Sequence, residues 1–395
     1  MSASPVARHP RIAELALALG AFAIGTTEFV IMGLMPNIAA DFNVSSQQVG
    51  YAISAYAMGV VVGAPLISAL GARLPRRGLL IGLMLLFAVS NVASLLAPSL
   101  TSFAALRFIA GLPHGVYLGV AALVAADAAP AGERGRAVGR VMMGLTVAIL
   151  IGAPAATWFG SLFGWHSAFL VVGLLALATA LLVRGFVPYQ AGNQDATPLT
   201  ELAALIKPRV LYTLGIACIG FGGMFSVYSY AVETLNVQAG LSQNLVPMVL
   251  AVFGVGTIIG NLIGSRAADI DLMRTIPAVL IWSALVQGGF YFAADGVWSG
   301  ILFVGLVGTG IGLAPALQMR LMDVAEDAQT MAATLNHAAF NIANALGAWC
   351  GGMAFAYGPS HSSIGLVGVA MAIAGLIVFL LGQRHERREL QTASA

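Results

Sequence analysis

A small set of polar side chains interrupts long apolar stretches, and their types suit proton uptake and release better than bond-making chemistry. Glu28 lies in GTTEFVIMG, residues 25–33, and is the lone charge between Leu15 and Met35. That stretch, at a rise of ~1.5 Å per residue, crosses a hydrocarbon core of ~30 Å. A charge at the centre of such a helix costs ~2.5 to 3.5 kcal/mol, so a chain that keeps one has usually turned it toward other helices or a wet cavity. Arg107 is the one basic residue inside a second apolar stretch. His114 follows it by seven residues, two helical turns along the same face, with Gly111 between them. An imidazole in water titrates near pH ~6.5, which suits a relay. A hydrogen bond from His114 to a neighbouring helix explains the same residue. His337, Asn341 and Asn344 recur at i, i+4 and i+7 and form one polar stripe, read either as interhelical hydrogen bonding or as cavity lining. Motifs of other chemistries are missing: no G-x-x-x-x-G-K, H-E-x-x-H or usable G-x-S-x-G is present, so ATP-driven pumping and hydrolysis find no support and no enzyme is expected.

Composition says what must hold these residues. The chain is 59% hydrophobic and 9% charged, against ~25% charged for soluble domains, which predicts an all-α, polytopic membrane protein. A net charge of +2 with scattered basic residues excludes a nucleic-acid stripe. Cys218 and Cys350 stand alone in apolar segments, with neither disulfide nor zinc spacing, and no metal or cofactor is expected. The start, RHPRIAELALALGAF, has the order of a signal peptide but reads as a retained first helix, because its apolar run is of spanning length.

Apolar windows predict twelve spans, near 13–36, 47–70, 79–97, 101–126, 137–160, 165–184, 210–233, 245–266, 274–294, 298–320, 330–356 and 361–382. With these spans, 17 of the 18 Lys and Arg fall in the two tails, the even-numbered loops or the span ends that border them, and Arg107 alone lies deep within a span. That asymmetry predicts both termini inside. It also places Glu28 and Arg107 in the outer half of the bilayer. The long polar connection at 188–209 divides an N-terminal six-helix bundle, 1–187, from a C-terminal one, 210–395. Gly59 and Gly63 are echoed at Gly256 and Gly260, and GLPHG (111–115) at GLAPA (312–316). Close helix packing explains either echo by itself. Two echoes at nearly one offset favour a duplicated unit, as in transporters whose substrates bind near the midplane.

Along its whole length the chain resembles the major facilitator superfamily, and within it the twelve-span drug:proton antiporters of the arabinose-efflux-permease-like, sugar-efflux and chloramphenicol-exporter branch. The resemblance is carried by TTEFVIMGLMPNIA, GAPLISALGARLPRR, RFIAGLPHGVYLGVAALVA, GAPAATWFG, FSVYSYAVE and FNIANALGAWCGGM. It implies a multi-pass cell-membrane monomer, of the inner membrane in bacteria, whose partners are protons, a small-molecule substrate and the bilayer. Spans one and four line the central cavity in this family, so Glu28 and Arg107 are expected to face each other. They would act there as a coupling pair with His114, or as a fixed ion pair that only orients two helices.

The loop after span two departs from the family pattern G-x-L-A-D-R-x-G-R-R. Ala72 stands at the acidic position and Pro75 at the second glycine, leaving Arg73, Arg76 and Arg77. In the family this loop locks the outward-facing state, and Asp127 is the residue able to replace the missing acid opposite Arg73. The second-half counterpart, GSRAAD, keeps Asp269. Gly144, Gly152 and Pro154 match part of the antiporter motif. In span seven, Met224, Phe225, Tyr228 and Tyr230 are either an adaptable wall for an amphipathic ligand or ordinary packing, and Glu233 is expected in the headgroup region. The leading expectation is proton-coupled export of small amphipathic compounds. A sugar or metabolite exporter of the same fold is the alternative, and an uncoupled facilitator or membrane sensor the alternative of another class.

Overall fold

A computed structural model describes residues 10–44, 46–130, 132–192, 206–325 and 329–393. Arg8 and residues 193–205 of the expected linker lie outside the described residues. The described chain is helical because a backbone in hydrocarbon must satisfy its own polar groups, and a helix does so within one segment. The helices are α1 (Pro10–Asp41), α2 (Ser46–Gly71), α3 (Arg76–Ala93), α4 (Leu100–Ala128), α5 (Arg134–Val147), α6 (Ala153–Phe163) and α7 (Trp165–Phe186). They continue with α8 (Pro208–Gly215), α9 (Gly222–Ala239), α10 (Val246–Ile270), α11 (Leu272–Ala293), α12 (Val297–Gly308), α13 (Leu313–Val324), α14 (Gln329–Tyr357) and α15 (Ile364–Ala393). Wider π-helical turns join α5 to α6 (Ala148–Gly152) and α8 to α9 (Ile216–Gly220), and a 3-10 turn, Thr309–Gly312, joins α12 to α13.

Among the described residues, eleven segments are long and apolar enough to cross a membrane. The expected segment at 330–356 is the 29-residue helix α14. It is absent from those eleven because His337, Asn341 and Asn344 lower its hydropathy.

The chain separates into two compact units, Met1–Ala204 with Glu326–Ala338, and Leu205–Ala325 with Ala339–Ala395. The same backbone contact recurs in each. In the first, a Cβ on Gly59 or Gly63 of α2 would run into the carbonyl oxygens of Phe108 and Leu112 of α4. In the second, a Cβ on Gly256 or Gly260 of α10 would run into those of Gly305 and Thr309. Glycine is required at these positions because it lets two helix backbones touch. Gly63→Val is therefore expected to lower stability by ~2 kcal/mol or more, measured by thermal unfolding in detergent. Gly78→Val should leave it within ~0.5 kcal/mol, since a Cβ on Gly78 meets nothing.

The π-helical turn at Ala148–Gly152 has a local cause. Pro154, in the first turn of α6, has no N–H for the carbonyl four residues back, and the helix widens there. Gly144 and Gly152 let this bent span lie on α1, facing the Ala18 carbonyl and the Thr26 hydroxyl. Gly164 turns the chain from α6 into α7 in a single residue at φ 87°, which a side chain would strain.

Candidate functional site

The first unit encloses a polar cluster built on α1, α2, α3, α4 and the start of α14. Arg107 of α4 is 1% exposed, so its charge must be met by protein groups. One guanidinium nitrogen donates to Thr27 Oγ1 at 2.9 Å and to Asn91 Oδ1 at 3.3 Å, and the other donates to the Thr27 carbonyl at 3.0 Å. Thr27 in turn donates to Asn91 Oδ1 at 2.8 Å, and the Asn91 amide is held by the Phe87 carbonyl at 2.8 Å. The guanidinium lies over the Tyr56 ring, 4.4 Å from its centroid, and 5.4 Å from that of Phe169. Such cation–π contacts strengthen when water is excluded. Arg107 Nε has no hydrogen-bond partner.

Every direct acceptor of Arg107 is therefore neutral. Glu28, the residue after Thr27, is half-buried and within electrostatic range of the guanidinium. Among the described residues no hydrogen bond or ion pair joins the two. The geometry thus differs from a fixed ion pair: Thr27 and Asn91 hold Arg107 in place, and Glu28 balances its charge from a position of its own.

The cluster continues toward the histidines. The Tyr56 hydroxyl is 2.9 Å from His114 Nδ1, and the His114 and His337 rings are 6.1 Å apart between centroids. Both histidines are buried at 3% exposure. Gly115 of α4 makes room for this approach, since a Cβ there would touch the Thr334 carbonyl and His337. Phe169, which the guanidinium also approaches, belongs to a cluster of rings. Phe169 packs on Phe103 at 5.5 Å and Phe103 on Trp165 at 5.2 Å, and Trp165 packs on Phe42 at 5.6 Å. The indole N–H donates to Asp41 at 3.0 Å. Val30, Ile31, Leu34 and Ile38 of α1 pack into the same core.

Other expected residues lie elsewhere. Asp127 at the end of α4 takes Arg76, and not the expected Arg73, as its ion-pair partner. The α3 end is tied to the segment after α7, since the Arg76 N–H donates to the Gln190 carbonyl at 3.0 Å and Arg77 to that of Val187 at 3.5 Å. Arg73 is exposed and Asp269 half-buried. In the second unit Met224 is buried, and Phe225 packs on Phe221 at 5.6 Å. Tyr228 stacks on Phe253 at 4.3 Å and Tyr230 on Phe355 at 5.6 Å, so the two tyrosines serve different neighbours. Asn341 and Asn344 are half-buried, and Glu233 is exposed. Sequence reasoning did not single out Thr27, Asn91 or Tyr56. Asn91 offered a signal, as the one amide in its apolar span.

Comparison with known proteins agrees with this architecture. The family model described as Major Facilitator Superfamily matches residues 17–318 and 214–395. The inner membrane transport protein YdhP of Escherichia coli K12 is 37% identical over 375 residues, 94% of this chain and 96% of its own. The chloramphenicol resistance protein of Streptomyces lividans is 31% identical, covering 91% of this chain and 94% of its own. The solved structure of the Escherichia coli fucose:proton symporter FucP superposes with a TM-score of 0.76 at 14% identity, over 95% of this chain and 99% of its own, and so shares the fold. With its eleven apolar helices, this chain is a multi-pass protein of the cell membrane and belongs to the major facilitator superfamily of transporters.

Proposed function

We propose that this transporter is a proton-coupled exporter of small amphipathic compounds, working by alternating access between two six-helix halves, with α14 as the twelfth span and both termini inside. The observation that carries this reading is the relation of Glu28 to Arg107. A carboxylate locked into a bidentate pair would be fixed, whereas Glu28 stands beside a guanidinium that neutral groups already hold. Proton uptake by Glu28 removes the charge balancing Arg107 and leaves a buried cation to be met by rearrangement of its surroundings. Substrate and proton then compete for one state of the cluster, which is what exchange requires. The orientation is supported by the segregation of 17 of 18 basic residues to one side. The cargo class is supported by the relative named a chloramphenicol resistance protein and by the few charges of the chain.

The test is transport in proteoliposomes under an imposed pH gradient, with chloramphenicol-like drugs, lipophilic cations and pentoses as the panel. At least one amphipathic compound is expected to move uphill against the proton flow and to stop when a protonophore collapses the gradient. Movement that only equilibrates and ignores the protonophore would make the chain a facilitator. Movement of none would leave a sensor. The polar stripe of α14 favours a second reading, a sugar or other polar metabolite as cargo, and pentose export without drug export would establish it.

A further inference from the structure

The last helix, α15, has 30 residues, or ~45 Å, and outruns a ~30 Å hydrocarbon core by several turns. Its exposed positions form one stripe. Leu366, Ile373, Ile377, Leu380 and Leu381 are exposed at spacings that keep to one helix face, and the stripe runs on without a break into Arg384, Arg387 and Arg388. The acids of this stretch point elsewhere. Glu386 pairs with Arg320 of α13, and Glu389 with Arg209 of α8 at 2.9 Å. Both glutamates are half-buried and take arginines of their own unit, so these two carboxylates are engaged away from the exposed Arg384 and Arg387.

From this division we infer that the stripe is a site for an anionic glycerophospholipid. The acyl chains lie along Ile373, Ile377, Leu380 and Leu381, and the phosphate is held by Arg384 and Arg387. The dimensions agree. Arg384 follows Leu381 by three residues, ~4.5 Å along the axis, within a headgroup layer of ~5 to 7 Å. Arg387 lies one turn further and reaches back along its stem, with a guanidinium fork that matches a phosphate. A zwitterionic lipid offers the same phosphate with a cation beside it, so the arginines discriminate by net charge.

The test places a bimane fluorophore at Leu380→Cys in the full chain carrying Cys218→Ser and Cys350→Ser. Vesicles of phosphatidylcholine then contain either brominated phosphatidylglycerol or brominated phosphatidylcholine, and quenching reports which lipid sits beside the label. Phosphatidylglycerol is expected to be preferred by roughly tenfold or more, given about a fivefold gain for each arginine near the surface. The preference should fall to within about twofold when Arg384 and Arg387 are both changed to Gln. On the unaltered arginines, 1 M salt should have the same effect, because it shortens the screening length to ~3 Å. The same label at Leu366→Cys, at the other end of the stripe, should show no preference. Equal quenching by the two lipids at position 380, an equal preference at position 366, or a preference that survives either the Gln substitutions or the salt would overturn the site.

Discussion

Replacing Glu28 by glutamine is expected to abolish uphill transport while leaving the protein folded. One proton exchanged for one neutral substrate sustains a concentration ratio of about ten for each pH unit across the membrane. In Glu28→Gln that ratio should fall to about one under the same gradient, because an amide of the same shape cannot take up the proton. Stability should fall by ~1 to 2 kcal/mol and leave the protein folded, since the charge balancing Arg107 is lost while its hydrogen bonds to Thr27 and Asn91 remain. Substrate accumulation and thermal unfolding on one preparation separate the two effects. A variant that still accumulates substrate uphill would reduce Glu28 to a structural residue and move the search to His114 and His337.

Arg107→Met carries the second large effect, on folding as well as on transport. The substitution removes three charge-assisted hydrogen bonds, each worth ~1.5 to 3 kcal/mol, and relieves the desolvation of a buried cation, which offsets much of that sum. Glu28 is left beside Tyr56 without its balancing charge, so the net loss is expected to be ~2 to 3 kcal/mol, with transport undetectable. Arg107→Lys should be intermediate, because an ammonium keeps the charge but cannot serve Thr27 and Asn91 together while lying flat on Tyr56. The double variant with Glu28→Gln tells electrostatic coupling from mere packing. Coupling predicts that it recovers ~1 kcal/mol or more of the Arg107→Met loss, whereas independent roles predict simple addition of the two effects.

What could be read in advance divides by physical cause. Spans and their ends follow from one property, hydropathy, summed over some twenty residues, and such a signal survives the loss of any single residue. Glu28, Arg107 and His114 stood out because an ionisable group in an apolar run is costly wherever it points. Thr27 and Asn91 did not, because a threonine or asparagine can satisfy itself on its own helix, and only the fold shows Thr27 turned to Arg107. Asp127 meets Arg76 and not Arg73 because three positions on the chain change both direction and depth, and a spacing rule cannot choose between them. Tyr228 and Tyr230 could have been separated in advance. Residues two apart point to opposite sides of a helix, and the two rings do stack on Phe253 and Phe355 respectively.

The ring cluster of Phe169, Phe103, Trp165 and Phe42 also bears on how a membrane voltage would be distributed in the proposed cycle. Its polar contacts lie at its margins, Arg107 over Phe169 and the indole N–H and His166 beside Asp41, and the rings between them are apolar and of low permittivity. An applied potential drops steeply across such a layer and hardly at all across wet regions. A full elementary charge crossing 100 mV exchanges ~2.3 kcal/mol with the field, and a charge moving across only part of the apolar layer would exchange the corresponding share. The rings that pack this unit would thus also act as the dielectric of a capacitor, and in the proposed cycle a proton taken up by Glu28 would sense its field.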